Sequence, residues 1–299
     1  MFRCYIYNTS GISITKSRRE KKMKKLLSFL LPVIVVAAVC GAELPKTFSI
    51  KCGDIETEFQ ERSFWNMQGV NFKGKVAASP KSWYGTVTAG QGGKLHGWIG
   101  SGHKENKIGE KNVKLSFKIN GSEWTPTAGT HNVKSFELTK ESDLGMMHLK
   151  YNLRISGNQI YEHVRTNMIQ RRYILIYHFM YAWDRSFSEY AFKAADGTVK
   201  TGKFLEKKAN IYIPMPEKFG VFSPENNIAA IAELKAISSI DAKAEIRLHD
   251  LPNFHKYYFV PTSRSRKRLE PGKFFEYSQT TSFYQCDAQI FKQKMGMTK

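Results

Sequence analysis

From Arg171 to Asp184 the chain reads Arg-Arg-Tyr-Ile-Leu-Ile-Tyr-His-Phe-Met-Tyr-Ala-Trp-Asp, and its chemistry lies in His178 and the rings around it. An imidazole can give or take a proton near neutral pH. Aromatic faces stack on the C–H faces of sugar rings, while nearby polar groups bond the hydroxyls. Strand alternation would put Tyr177, Tyr181 and Trp183 on one face of the segment. Two readings are open here, a packed core with a satisfied histidine or a sugar-binding cleft.

Further candidates lie outside this segment. His96 and Trp98 close the glycine-rich run Gly90-Gln91-Gly92-Gly93-Lys94-Leu95-His96-Gly97-Trp98. That run lacks the GxxxxGK[ST] pattern of a phosphate loop. His103, Glu105 and Glu110 have the spacing of an ordinary polar loop, so neither a metal nor any other cofactor is expected. Glu162 and His163 are adjacent in an alternating segment and point to opposite faces. Arg264, Arg266 and Arg268 would line one side of an extended loop, about 6–7 Å apart. Such a row suits the carboxylates or sulfates of an acidic polysaccharide, which arginine holds in bidentate fashion. A merely solvated loop is the alternative. No Ser-His-Asp order, nucleophile elbow or nicotinamide fingerprint is present.

These groups need strands to position them. Residues 173–183 are apolar or aromatic on both faces, which predicts a strand inside a layered sheet structure. Alternating runs at 113–119, 147–155 and 190–195 end at Asn120-Gly121, Gly157-Asn158 and Asp196-Gly197, the signals of tight hairpins. Shorter strands are predicted at 46–52, 56–62, 209–214, 245–248, 256–260 and 274–284. Residues 228–237 fit a strand or helical turns, and the basic tail after Asp287 is expected to fray. The expectation is all-β: a large antiparallel β-sandwich, one domain over residues 43–299.

Lys and Arg number 46 against 26 Asp and Glu. Met23-Lys24-Lys25, the apolar run 26–40 and Gly41-Ala42 make a secretory signal over residues 23–42, with cleavage after Ala42. Residues 1–22 then read as an upstream extension, with translation starting at Met23. Lipid attachment at Cys40 is an alternative. On this reading the protein is secreted or periplasmic and meets a membrane only through its export signal. Its basic charge then serves anionic glycans, not nucleic acid. Cys52 and Cys286 remain near the ends of the mature chain, as a disulfide or as two buried thiols.

Two passages resemble the galactose-mutarotase-like β-sandwich (super-sandwich) family. Gly92-Gly93-Lys94-Leu95-His96-Gly97-Trp98 looks like its glycine-flanked Leu-His-Gly element, which contributes to a sugar cleft. Leu269-Glu270-Pro271-Gly272-Lys273-Phe274, running into Tyr277 and Phe283, is similar to its closing strand. For an aldose epimerase-type enzyme the resemblance implies His178 as the acid on the ring oxygen and Glu233 as the base on the anomeric hydroxyl. It equally implies an auxiliary domain that binds polysaccharide. The leading expectation is a secreted carbohydrate-binding or carbohydrate-processing protein for acidic polysaccharide. An epimerase and a non-catalytic cell-envelope structural or assembly protein are the alternatives.

Overall fold

The computed structural model describes residues 43–297, apart from 83, 91–96, 106–108, 208, 240–242 and 263–267. β1 (Thr47–Cys52) and β2 (Ile55–Gln60) form the first hairpin, and a 3-10 turn (Glu61–Ser63) leads to β3 (Met67–Phe72) and β4 (Lys75–Ala78). Three short strands follow, β5 (Val87–Gly90), β6 (Ile99–Gly100) and β7 (His103–Lys104). β8 (Lys111–Ile119) and β9 (Ser122–Glu123) join through Asn120-Gly121, whose φ values of 53° and 84° suit a two-residue hairpin turn. Next come β10 (Thr130–Val133), β11 (Ser135–Asp143), β12 (Met147–Ser156), β13 (Gln159–Met168) and the long β14 (Arg172–Asp184). β15 (Glu189–Lys193) and β16 (Val199–Lys203) make another hairpin, followed by β17 (Ala209–Pro214) and β18 (Lys218–Ser223). β19 (Ile228–Ser238), β20 (Glu245–Leu251), β21 (Phe254–Val260), β22 (Arg268–Leu269) and β23 (Phe274–Gln285) precede the helix α1 (Ala288–Lys294).

Among the described residues the strands make two sheets. The larger runs β10-β1-β2-β3-β4-β14-β21-β20-β17, with β5 and β22 also on β14 and β6 and β7 extending from β5. The smaller runs β16-β15-β18-β19-β23-β13-β12-β11-β8-β9. β1 and β10 pair in parallel, and the other pairings are antiparallel. The protein is thus all-β, a large antiparallel sandwich. Its core fills with alternate residues of each sheet, such as Met147, Leu149, Tyr151, Leu153 and Ile155 of β12. Each large apolar side chain buried this way contributes roughly 1.5–3 kcal/mol.

Two local features settle or overturn expectations from the sequence. Residues 228–237 are a strand. Their alternation is hidden because β19 is covered on both faces at its start, on the outer one by α1. Phe291 and Met295 of that helix pack with Phe222, Ala229 and Ile231. Residues 288–294 of the tail are therefore helical instead of frayed: the Asp287 carboxylate accepts a hydrogen bond from the Ile290 amide at 2.8 Å and caps α1.

The second feature lies in β14. His178 pairs with Phe259 of β21, but the next pair is Tyr181 with Tyr257, so β14 carries one extra residue there. Phe179 sits at φ 50° within this bulge. Side-chain parity reverses across it. Ile174, Ile176 and His178 point into the core before the bulge, and Tyr181 and Trp183 do so after it. Tyr177 and Met180 are left together on the opposite face. The expected shared face of Tyr177, Tyr181 and Trp183 does not exist, because a bulge shifts the two-residue period by one.

Candidate functional site

The outward face of the larger sheet carries a cleft where β14, β20 and β21 meet the segment around Trp98. Tyr177 and Met180 come from β14, Lys256 and Tyr258 from β21, His249 from β20 and Val87 from β5. With Trp98 and His103 they line a cavity of about 240 Å³. The register sets this group. Arg247 lies opposite Tyr258 and His249 opposite Lys256 in the β20–β21 pair. Alternation then sends Arg247, His249, Lys256 and Tyr258 to one face, and Leu248, His255, Tyr257 and Phe259 into the core.

The rings form a continuous wall. Trp98 stacks on Tyr177 with centroids 5.0 Å apart and planes 25° from parallel, and Tyr177 meets Tyr258 at 4.6 Å. His249 approaches Tyr258 edge-on at 5.4 Å. Arg247 Nη1 donates to the Tyr177 hydroxyl at 2.7 Å, and its guanidinium lies over the Tyr212 ring at 5.2 Å. Glu245 pairs with Arg247 at 3.2 Å. Glu105 ties down the Trp98 segment by accepting from the Trp98 amide at 2.9 Å and lying 3.7 Å from His103. Gly97 has to be glycine here, since a side chain would run into Glu105.

Burial shapes the protonation of the cleft. It lowers the His103 pKa, helped by Lys256 and opposed by the Glu105 charge. It lowers that of His249 too, with Arg247 and Lys256 acting in the same sense. Near neutral pH both imidazoles are therefore uncharged donors or acceptors. Burial also lowers the Lys256 pKa and raises that of Tyr177. Lys256 is the cation among the described residues that line the cavity; Arg247 adjoins it through Tyr177 with its charge met by Glu245, and Glu105 is the carboxylate that reaches Trp98 and His103.

Of the residues singled out from the sequence, the cleft brings together Trp98, His103 and Tyr177. Tyr181 and Trp183 stack on each other at 4.7 Å, but inside the core. His178 has no solvent exposure; its Nδ1 lies 2.9 Å from the Thr86 hydroxyl, and burial lowers its pKa to about 3. Glu233 lies on β19 of the other sheet, exposed and paired with Lys218 at 3.1 Å. The acid–base pair of His178 and Glu233 is thus not assembled, because each side chain faces a different environment on a different sheet. His96, Arg264 and Arg266 lie outside the described residues. Arg268 is exposed on β22, opposite Tyr173 of β14. Cys52 and Cys286 are both free thiols, buried in separate apolar clusters, so of the two readings left open by the sequence the structure has the buried thiols and not the disulfide. Arg247, His249, Lys256 and Tyr258 were missed as site residues. Their strands were legible, and the outward parity of Lys256 and Tyr258 around buried Tyr257 was the available signal.

No family model and no curated protein matches the sequence. Among solved structures the chain is similar to the Slr1438 protein from Synechocystis sp. PCC 6803, at 7% identity and TM-score 0.47, covering 81% of this chain and 97% of that one. It is also similar to a putative aldose 1-epimerase from Escherichia coli K12, at 9% identity and TM-score 0.42, over 80% of this chain and 98% of that one. A third is the GH36 alpha-galactosidase AgaB from Geobacillus stearothermophilus, at 7% identity and TM-score 0.48, with 81% of this chain covering 40% of that one. These are likenesses in strand layout, and the chemistry of the cleft rests on its own residues.

Proposed function

We propose that the protein binds carbohydrate in the cleft walled by Trp98, Tyr177 and Tyr258, and that the sugar unit held there is acidic. The observation that carries this reading is the three-ring wall beside Lys256 and Arg247 in a cavity of about 240 Å³. The rings offer stacking area for a sugar's C–H face, the uncharged His103 and His249 offer hydroxyl partners, and the cations favour a carboxylate or sulfate. Binding fits better than epimerisation. Moving a proton on and off an anomeric centre needs an acid and a base within hydrogen-bond reach of one ring. His178 is sealed in the core, and Glu105, the carboxylate against His103, is engaged in holding the Trp98 amide.

Export belongs to the same proposal, with the apolar run 26–40 as signal and the mature chain starting at Glu43. N-terminal sequencing of protein recovered outside the cytoplasm tests that part. Calorimetric titration with uronic-acid, sulfated and neutral oligosaccharides tests the site. Trp98→Ala should weaken binding about tenfold, as expected for loss of about 1–1.5 kcal/mol of ring contact. Lys256→Met should remove the preference for acidic over neutral sugars. Absence of binding to every glycan class, or binding that neither substitution changes, would overturn the reading.

A further inference from the structure

Away from the cleft, a lysine, an asparagine and a glutamate meet inside the sandwich. Lys140 of β11 and Asn66, the residue before β3, are each 1% exposed, and Glu110, the residue before β8, is 6% exposed. Lys140 Nζ lies 2.9 Å from Asn66 Oδ1 and 2.9 Å from Glu110 Oε1. Ser142, two residues along β11, donates to the same Glu110 oxygen, while Glu110 Oε2 makes no hydrogen bond. Asn66 is fixed through Nδ2, which donates to the Ser63 carbonyl at 2.7 Å and the Ser101 hydroxyl at 3.2 Å. Gly85 closes over it at φ 97°; a Cβ there would lie 2.8 Å from Asn66 Oδ1. Burying a charged pair costs several kcal/mol per ion unless something is gained by it.

We propose that Lys140 and Asn66 become joined by an intramolecular isopeptide bond, with Glu110 carrying the protons. The amine is hydrogen-bonded to Oδ1, so it has only to swing from that oxygen to the face of Cγ, one bond away, to reach the ~3–3.5 Å separation of a near-attack pair. Lys140 gives one proton to Glu110 and its neutral Nζ attacks Cγ. The Nζ–Cγ bond forms, and a second Nζ proton passes by way of Glu110 to Nδ2. The Cγ–Nδ2 bond breaks and ammonia leaves, taking the remaining carboxyl proton as ammonium and returning Glu110 to carboxylate. A lysine ammonium and an asparagine amide thus yield a secondary amide and ammonium, with no oxidant, reductant or cofactor. Exclusion of water protects the product from hydrolysis, and Ser63 and Ser101 accept from the departing nitrogen. The bond would tie the approach to β3 in the larger sheet to β11 in the smaller one.

Mass spectrometry of the purified, folded full chain decides the matter. The expected result is a mass about 17 Da below that calculated, for one ammonia lost. After trypsin, residues 63–73 should appear linked to residues 135–150, uncleaved at Lys140. A cyclised Asn66 would show the same mass loss but leave Lys140 cleavable, and that outcome overturns the proposal. So does the full calculated mass with separate peptides ending at Lys73 and Lys140. In Glu110→Gln the linked peptide should be at least tenfold less abundant; an unchanged yield would overturn the assigned role of Glu110. The parent peptide map decides for the bond even if that variant does not fold.

Discussion

Tyr177 and Tyr181 lie one bulge apart in the same strand and send their hydroxyls to opposite sides of the sheet. That of Tyr177 accepts from Arg247 at 2.7 Å in the cleft, and that of Tyr181 donates to Glu162 at 2.8 Å in the core. The same substitution should therefore have opposite consequences at the two sites. Tyr181→Phe leaves one oxygen of a buried carboxylate unpaired and should cost about 1–3 kcal/mol of stability, with sugar affinity unchanged. Tyr177→Phe releases a partly exposed arginine and should alter affinity while leaving stability within about 0.5 kcal/mol. Denaturant unfolding and titration of both variants check this; similar profiles for the two would mean the parity reversal is wrong.

Glu162 makes stability depend on pH. Burial pushes its carboxyl up to about 7 from an ordinary 4.5, and hydrogen bonds from Tyr151 and Tyr181 offset only part of that. Between those two values the folded chain holds a proton that the unfolded chain has released. The stability tied to this proton is present below about pH 4.5 and is lost as the pH rises to 7. His178 works the other way. Its pKa falls from 6.5 to about 3, so its contribution is present above 6.5 and is lost as the pH falls through 3. Glu162→Gln removes the first effect alone. Relative to that variant, the parent should lose about 3 kcal/mol between pH 4.5 and 7. A constant difference across that range would show that ionised Glu162 carries no penalty.

Much of the strand layout is written locally. Asn120-Gly121 sets its hairpin because both residues tolerate positive φ, and the period-two pattern of 147–155 is plain because one side faces water. The bulge at Phe179 is not marked, since a phenylalanine gives no sign of adopting φ 50°. It is imposed by pairing with residues some eighty positions later. The cleft was half legible for that reason. Trp98 and Tyr177 stand out by type, whereas Lys256 and Tyr258 become site residues only once β21 is laid against β14. His178 drew attention as a lone ionisable group among rings, and the structure makes it a core histidine whose Nδ1 meets Thr86 while its Nε2 is buried without a partner. α1 was missed although Asp287 caps it and Phe291 and Met295 share one face at a spacing of four.

The two buried thiols give a direct chemical check. Cys52 Sγ donates to the Lys134 carbonyl at 3.0 Å, and burial raises the pKa of both Cys52 and Cys286. Neither should react quickly with an alkylating reagent in the folded protein, and both should react after denaturation without reductant. Peptide mapping that found a linked Cys52–Cys286 pair would contradict the free state.

Arg264, Arg266 and Arg268 remain the candidates for contact with a longer acidic chain. With all three changed to serine, binding of extended uronic-acid or sulfated glycans should weaken at low salt, and the gap from the parent should close as salt rises. A variant indistinguishable from the parent at every ionic strength would remove the loop from the interface.

The order of the smaller sheet bears on how the molecule comes into being. β23, the last strand, is seated between β13 and β19, near the middle of its sheet. A ribosome delivering the chain from its N-terminus would expose the edges of β13 and β19, unpaired, until residues 274–285 emerge. The two halves of that sheet can close only once that strand is available, and chains cut short before that point keep two sticky margins.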